Sequence, residues 1–262
     1  MRITRPAAVV LACSAAIAGL SACGSDGGSS SSTAAAPSGG AGAAASPSPS
    51  PATSGIEALP AAQIAEKAKQ ALMSAPSLTM TLDIKVDGKT TGGKVSLDRQ
   101  GHCAGNMTVP GMGSFEVLKS GASMWIKPDA AFLKVFGGGG EAAKLMAGKY
   151  LKADGQMKDM GSFCDLKQFA DEIAKEKDTG TKYTKEGTVT EGGVTMVVVG
   201  AVDPKDGKSL LYVPVTGTPY PVKISHPSGK ETGRVTFGGF GEPVVVQTPP
   251  ADQVIDPSKL GR

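Results

Sequence analysis

The stretch SLTMTLDIKV, residues Ser77–Val86, alternates apolar and polar side chains without interruption. Its apolar positions are Leu78, Met80, Leu82, Ile84 and Val86, and threonine, aspartate or lysine fills each position between them. Because successive side chains of a strand point to opposite faces, the alternation predicts a strand with one apolar and one solvated face. Asp87-Gly88, which follows directly, predicts a tight turn into a second strand.

Further segments on both sides of residues 129–180 are short, apolar and bounded by Gly, Pro or Asp. Those before residue 129 are GKVSLDRQG, CAGNMTVPG, GSFEVLKSG and ASMWIKP. Those after residue 180 are TKYTKEGTVT, GGVTMVVVG, KSLLYVPVTG, YPVKISHPSG, ETGRVTFGGFG and EPVVVQTPP. Strands at hairpin spacing pair with their neighbours in the chain, so we expect antiparallel meanders with about eleven strands in all.

Helical patterns occur in two places. LPAAQIAEKAKQALMSAPS, residues 59–77, predicts an amphipathic helix that ends before Pro76. Between the two groups of strands, PDAAFLKVFGGGGEAAKLMAGKYLK predicts two short helices broken at four glycines, and SFCDLKQFADEIAKE predicts a third. An antiparallel sheet this long must curl, and its apolar face must be covered. The sequence therefore predicts an α+β fold in which a strongly curved sheet wraps around the helices.

The first residues have the character of an export signal. Arg2 and Arg5 precede an apolar run that ends at residue 20, which is shorter than the ~20 residues of a membrane-spanning helix. The run ends in Leu-Ser-Ala-Cys, which resembles the bacterial lipobox. The resemblance implies that residues 1–22 are a signal peptide, that Cys23 becomes the N-terminus, and that its sulfur carries diacylglycerol. The alternatives are an uncleaved anchor helix, a buried structural Cys23, or processing at Cys13 after a much shorter apolar run.

Residues 23–55 follow as a segment that, after Cys23, consists of Ser, Gly, Ala, Pro and Thr with Asp26 as the only charged side chain. Such a composition cannot bury enough apolar surface to offset the entropy of ordering, so we expect a disordered tether. The folded domain should then comprise residues 56–262. Together these features predict an extracytoplasmic protein, lipid-anchored at Cys23 to the outer face of the cell membrane.

Charge and motifs narrow the classes of function. The formal net charge is +3, and loss of Arg2 and Arg5 with the signal peptide would bring it close to zero. No basic run indicates nucleic acid as a partner. The sequence contains no G-x-S-x-G, H-E-x-x-H or P-loop motif and only 2 His, so we expect no enzyme, no cofactor and no metal. Gly137–Gly140 before Lys144 faintly resembles a phosphate-binding loop, but a helix break accounts for the glycines better.

Two cysteines, Cys103 and Cys164, lie in the part that should fold. In an oxidising compartment, two cysteines most simply form one disulfide. The alternative is a metal site that uses Cys103 and the adjacent His102, although the spacing typical of metal ligands is missing.

The order of these features is similar to that of actinobacterial LolA-like lipoproteins, which are related in fold to the mycobacterial LppX/LprG-type lipoproteins. The similarity covers residues 56–258 and is strongest in GTPYPVKI, in RVTFGGFGEPVVV and in the placement of the two cysteines. It implies a half-closed antiparallel β-barrel with helices over its concave face and a hydrophobic cavity between sheet and helices. Members with known roles carry acyl chains of lipids or lipoproteins across aqueous space.

Two functions remain open. The first is a lipoprotein that binds or carries a hydrophobic ligand in that cavity. The second is a cell-envelope module that binds a protein partner and has a filled core. For the first, we expect the ligand to contact the apolar residues that alternate along the strands and those on the helices. The strand residues are Leu82, Ile84, Val95, Leu97, Phe115, Val117, Val213, Val222, Ile224 and Phe237, and the helix residues are Phe132, Phe136 and Phe169.

Overall fold

The computed structural model describes residues 55–136, 140–154, 160–175, 180–204, 207–229 and 231–259. The predicted signal peptide, Cys23 and all of the tether before residue 55 lie outside the described residues. So do three of the four glycines between the predicted short helices. Among the helices of the described part, none has the length and apolar character needed to cross a membrane.

Twelve strands form one sheet, in the spatial order β12-β6-β5-β4-β3-β2-β1-β11-β10-β9-β8-β7. All neighbours are antiparallel except β12 and β6, which are parallel. The strands are β1 Ser77–Val86, β2 Lys89–Asp98, β3 Cys103–Val109, β4 Gly113–Ser120, β5 Ser123–Pro128, β6 Tyr150–Lys152, β7 Lys182–Glu191, β8 Val194–Asp203, β9 Gly207–Pro214, β10 Lys223–His226, β11 Glu231–Gly238 and β12 Val254–Ile255.

Strand β1 connects the two meanders. It pairs with β2 on one side and with β11 on the other, and Leu82 stands opposite Gly93 and Val235. The alternation predicted from SLTMTLDIKV is confirmed: Leu78 is buried, the later apolar side chains are half-buried, and Thr81, Asp83 and Lys85 are exposed. One face of β1, and of the sheet, is therefore apolar. We call it the inner face.

In the described residues, four α-helices accompany the sheet: α1 Ala61–Ser74, α2 Ala130–Phe136, α3 Gly140–Met146 and α4 Leu166–Lys175. Short 3-10 turns occupy Ile56–Ala58, Met160–Cys164, Ala251–Gln253 and Pro257–Lys259. Helix α1 is amphipathic as predicted, and it contacts α4 and strands β7 to β9. Helix α2 packs on β4 and β5. The fold is an α+β fold with one large, curved antiparallel sheet, as the sequence predicts.

The details differ from the prediction at the ends of the sheet. EPVVVQTPP is not a strand: it is an extended segment that crosses Glu116 and Leu118 on the outer face of β4. Three prolines in this stretch lack the N–H group that a strand would donate to a neighbour. Tyr150–Lys152, predicted as the end of a helix, forms β6 against β5, and it is followed in space by the two-residue β12. Pairing over two or three residues leaves no periodic signal in a sequence.

Candidate functional site

The inner face is covered unevenly. In the first cross-strand row, Leu78, Leu97 and Cys103 stand side by side, and all three are buried. The neighbouring row includes Val95 and Val117, which are also buried. Side chains of helices α1 and α4 belong to the same core cluster as these residues. The side chains that they contribute to the core include Ile64, Ala68, Leu72, Leu166 and Ile173.

Toward the β1–β2 turn, the helices leave the inner face partly uncovered. Leu82, Gly93, Met107 and Phe115 form one row across β1 to β4, and of these Leu82 and Met107 are half-buried. Ile84 of β1 and Val109 of β3 lie one row further out and are half-buried as well. We call Leu82, Ile84, Met107 and Val109 the open end of the inner face.

The predicted ligand-contacting residues fall into three groups. Eight lie within the buried core: Val95, Leu97, Phe115, Val117, Phe132, Val213, Ile224 and Phe237. Leu82, Ile84 and Phe169 are half-buried and pack against that core, and half-buried Val222 accepts a hydrogen bond from the backbone N–H of Phe237. Phe136 is 52% exposed at the end of α2. Most of the predicted set is thus occupied in packing, and only a few members remain accessible.

Three half-buried residues were not among the predicted ligand contacts: Met107 and Val109 of the open end, and Phe163, which packs against Phe115. Met107 and Val109 are the apolar positions of the third predicted strand, so the alternation in CAGNMTVPG could have identified them. Phe163 lies in a 3-10 turn, where no periodic pattern marks a buried side chain.

Aromatic rings connect the buried row to the protein surface. The ring centroid of Phe115 is 5.4 Å from that of Phe132, which in turn is 4.5 Å from the exposed ring of Phe136. Phe163 lies on the other side of Phe115, at 6.1 Å. These contacts form a continuous apolar path from the end of α2 to the row that contains Leu82 and Met107.

Asp129 holds the beginning of α2. One carboxylate oxygen accepts a hydrogen bond from the backbone N–H of Phe132 at 2.7 Å, and the other accepts one from the N–H of Ser114 at 2.9 Å. The Phe132 N–H is the main reason that the pKa of Asp129 lies below its ordinary value, and partial burial opposes this shift. Asp129 therefore caps α2 and ties it to β4.

The disulfide between Cys103 and Cys164 is confirmed, with the Cα atoms 5.4 Å apart. It joins β3 to the turn before α4. The sulfur of Cys103 is part of this disulfide, and the imidazole of the adjacent His102 contacts the carboxylate of Asp98 at 2.8 Å. In the described part of the chain, no three side chains of metal-binding type come together.

The outer face carries a polar cleft of about 370 Å³ between β4 and the segment that leads to β12. On its floor, the hydroxyl of Tyr150 donates a hydrogen bond of 2.7 Å to Glu116. Burial, followed by the hydrogen bond and the charge of Glu116, raises the pKa of Tyr150 to about 12. Gln247, Thr248 and Gln253 complete a polar lining that does not suit an acyl chain. The open end of the inner face is therefore the candidate site for an apolar ligand.

Comparisons with known proteins find similarity only among solved structures, and at low sequence identity. No family model and no curated protein matches the chain. Among solved structures, the lipoprotein LppX of Mycobacterium tuberculosis is 13% identical, with 73% of this chain and 98% of that one covered and a TM-score of 0.46. LprF of Mycobacterium bovis is 16% identical, with 72% and 96% covered and a TM-score of 0.47.

A LolA superfamily protein of Nitrosomonas europaea is 11% identical, with 74% of this chain and 96% of that one covered and a TM-score of 0.24. At such identities and scores the likeness concerns the fold alone and carries no argument about a ligand. These similarities are of the kind that the sequence resemblance to LolA-like and LppX/LprG-type lipoproteins leads one to expect.

Proposed function

We propose that the protein is an exported lipoprotein, anchored outside the cytoplasmic membrane through Cys23, that binds an apolar ligand at the open end of the inner face. The observation that carries this proposal is the uneven cover of that face. The open end is apolar and continues the cross-strand rows of the core. Its four residues are nevertheless only half-buried: Leu82, Ile84, Met107 and Val109. Leaving such side chains in contact with water is unfavourable, and an apolar ligand would remove that cost.

An acyl chain suits this surface chemically, because the residues at the open end are apolar. Each methylene group that it buries contributes about 0.8 kcal/mol to the free energy of binding. Burial of several methylene groups against Leu82 and Met107 would therefore give measurable affinity. Phe132 is buried, and its ring contacts the exposed ring of Phe136, so the aromatic core reaches the exterior at the end of α2. Binding and release require no chemical step, and the proposal includes no catalysis.

The proposed location rests on the sequence. The export signal, the lipobox ending at Cys23 and the Ser/Gly/Ala/Pro tether together favour a domain held at a distance from the outer face of the membrane. The Cys103–Cys164 disulfide supports this location, because disulfides persist in oxidising compartments.

The experiment uses the chain from Gly24 onward, which omits the lipid-bearing cysteine and retains every described residue. The purified protein is extracted with organic solvent for mass spectrometry, and its uptake of a fluorescent fatty acid is titrated. Leu82→Asp places a carboxylate at the open end and should weaken uptake at least about tenfold. Thr81→Asp, which changes the neighbouring outward-facing residue, is the matched control and should bind as the unaltered chain does.

A clean extract together with no fatty-acid uptake would contradict ligand binding. Equal uptake by both aspartate variants would place the ligand elsewhere.

A second candidate function is that of a module that binds a protein partner. It is favoured by the closed region of the inner face and by β7, a ten-residue strand at the edge of the sheet. Strand β7 pairs with β8 on one side, and most of its side chains are exposed. An extended partner segment could add to this edge through main-chain hydrogen bonds. Capture of such a partner by a chain that carries no lipid would favour this function.

A further inference from the structure

Apolar side chains are exposed on the two short helices beside the open end. Val135 and Phe136 at the end of α2 are 54% and 52% exposed, and Leu145 of α3 is 61% exposed. Lys134 and Lys144 lie next to them and are exposed as well. We call Lys134, Val135, Phe136, Lys144 and Leu145 the α2–α3 patch.

We propose that the α2–α3 patch docks on the surface of an anionic lipid bilayer, with its apolar side chains inserted among the lipids and its lysines at the headgroups. The inference rests on the proposed function for the acyl ligand and for the lipid on Cys23. It adds the surface through which the domain meets the membrane.

The first argument is the charge around the patch. Residues 130–152 contain Lys134, Lys144, Lys149 and Lys152, of which Lys144 pairs with Glu141 at 2.6 Å and Lys152 lies within 4.0 Å of Asp154 and Asp256. Lys134, next to Val135 and Phe136, is therefore the cation on which the argument from charge mainly rests. The whole chain, by contrast, is nearly neutral. Lysines beside exposed large apolar residues are the composition of segments that lie in a membrane interface, where anionic lipids attract the cations.

The second argument is the position of the tether. Cys23 and Gly55 are 32 residues apart in the sequence, so a lipid on Cys23 would keep the domain close to the bilayer. At such a distance, weak contacts of the patch with lipid become effectively intramolecular. A second copy of this chain is a poorer occupant, because a symmetric contact would bring the lysines of one patch against those of the other.

The third argument is continuity with the ligand site. Phe136 belongs to the patch, and its ring contacts Phe132, which contacts Phe115 beside Met107 of the open end. A docked patch would therefore place lipid at the outer end of an apolar path that leads to the proposed site. That lipid would lie against Phe136, the exposed member of a cluster of aromatic rings that borders the proposed site.

The test is flotation of the chain from Gly24 onward with phosphatidylglycerol-containing vesicles and with pure phosphatidylcholine vesicles. The unaltered chain should float with the anionic vesicles, and less so as salt is raised. The variant Phe136→Ser/Leu145→Ser should lose binding at least about tenfold, because two apolar side chains no longer insert. Lys134→Glu should weaken binding to the anionic vesicles by about fivefold or more.

The matched control is Val194→Ser/Val245→Ser, which removes two apolar residues of similar exposure, 45% and 75%, from other parts of the surface. It should float like the unaltered chain. Because all these side chains are exposed, the far-UV circular dichroism and the melting temperature of each variant should match those of the parent.

Absence of vesicle binding, equal binding by the patch and control variants, or a patch-dependent dimer in place of vesicle binding would each overturn the inference. The outcome is separable from that of the proposed function. A chain that carries fatty acid but does not float contradicts only the docking surface, and a chain that floats through the patch but carries no lipid contradicts only the ligand site.

Discussion

Gly233 of β11 shows how a single residue shapes the inner face. It stands opposite Ile84 of β1, and its φ of +126° is a value that residues with a side chain rarely adopt. A Cβ atom at this position would overlap the carbonyl oxygen of Asp83 and lie 2.9 Å from the Cα of Ile84. The absence of a side chain therefore lets the two meanders meet closely at the open end.

We expect Gly233→Ala to lower the free energy of unfolding by about 3 kcal/mol, since it adds both backbone strain and overlap with β1. Gly238→Ala, in the same strand, is the matched control, because a Cβ there would meet nothing within 4 Å. Urea unfolding monitored by circular dichroism measures both variants. Equal stability of the two would contradict this account of the β1–β11 junction.

Helix α2 is the element on which the site and the patch both depend. It has only seven residues, which is too short to be stable by itself, so it relies on its cap and on packing. Asp129 provides the cap, and the side chains of Phe132 and Leu133 on the helix itself are buried. The capped end fixes the direction of α2 and hence the position of Phe136.

Asp129→Ala should lower the free energy of unfolding by about 1 kcal/mol at neutral pH, the usual effect of losing an N-cap. Because the pKa of Asp129 is lower in the folded protein than its ordinary value of 3.8, the stabilisation is present above that value and is lost as the pH falls through the folded pKa. The difference between the parent and the alanine variant should therefore shrink in acid. Unfolding midpoints between pH 3 and pH 7 measure this.

Asp129→Asn is the control for charge, since its amide oxygen can still accept the hydrogen bond from Phe132. It should be more stable than the alanine variant, and its stability should not follow the titration of Asp129. A difference between the parent and Asp129→Ala that stays constant down to pH 3 would contradict the role of the carboxylate.

At the scale of the whole molecule, the disulfide between Cys103 and Cys164 links the sheet to the helical layer. Cys103 lies in the buried first row of the inner face, and Cys164 lies immediately before α4, which covers that row. The bond closes a chain segment with a sequence separation of 61 residues. It therefore reduces the conformational freedom of the unfolded chain, and in the folded protein it holds the beginning of α4 against β3.

The double variant Cys103→Ser/Cys164→Ser should be less stable than the parent by about 4 kcal/mol on the chain-entropy account. A reducing agent should destabilise the parent to a similar degree and leave the variant unchanged. Guanidinium unfolding with and without dithiothreitol provides the measurement. A variant as stable as the parent, or ready labelling of either thiol in the native parent, would contradict this.

Much of the fold could be predicted from local pattern. Alternation of the kind seen in Ser77–Val86 identified the long strands, and the apolar stripe of residues 61–74 identified α1. The pairing of β1 with β11 was not predicted, because strands about 150 residues apart in the chain share no local signal. The same holds for β6 and β12, whose pairing depends on where the last segment crosses the outer face.

The sequence by itself determined which side of each strand is apolar, and it identified the two cysteines that form the disulfide. It did not distinguish Val95, which is buried beneath the helices, from Leu82, which is half-buried at the open end, although both lie on the same face of adjacent strands. Alternation encodes only the face of a side chain. How far α1, α2 and α4 reach across that face is set by contacts between residues distant in the chain, so only the tertiary structure decided where the inner face stays open.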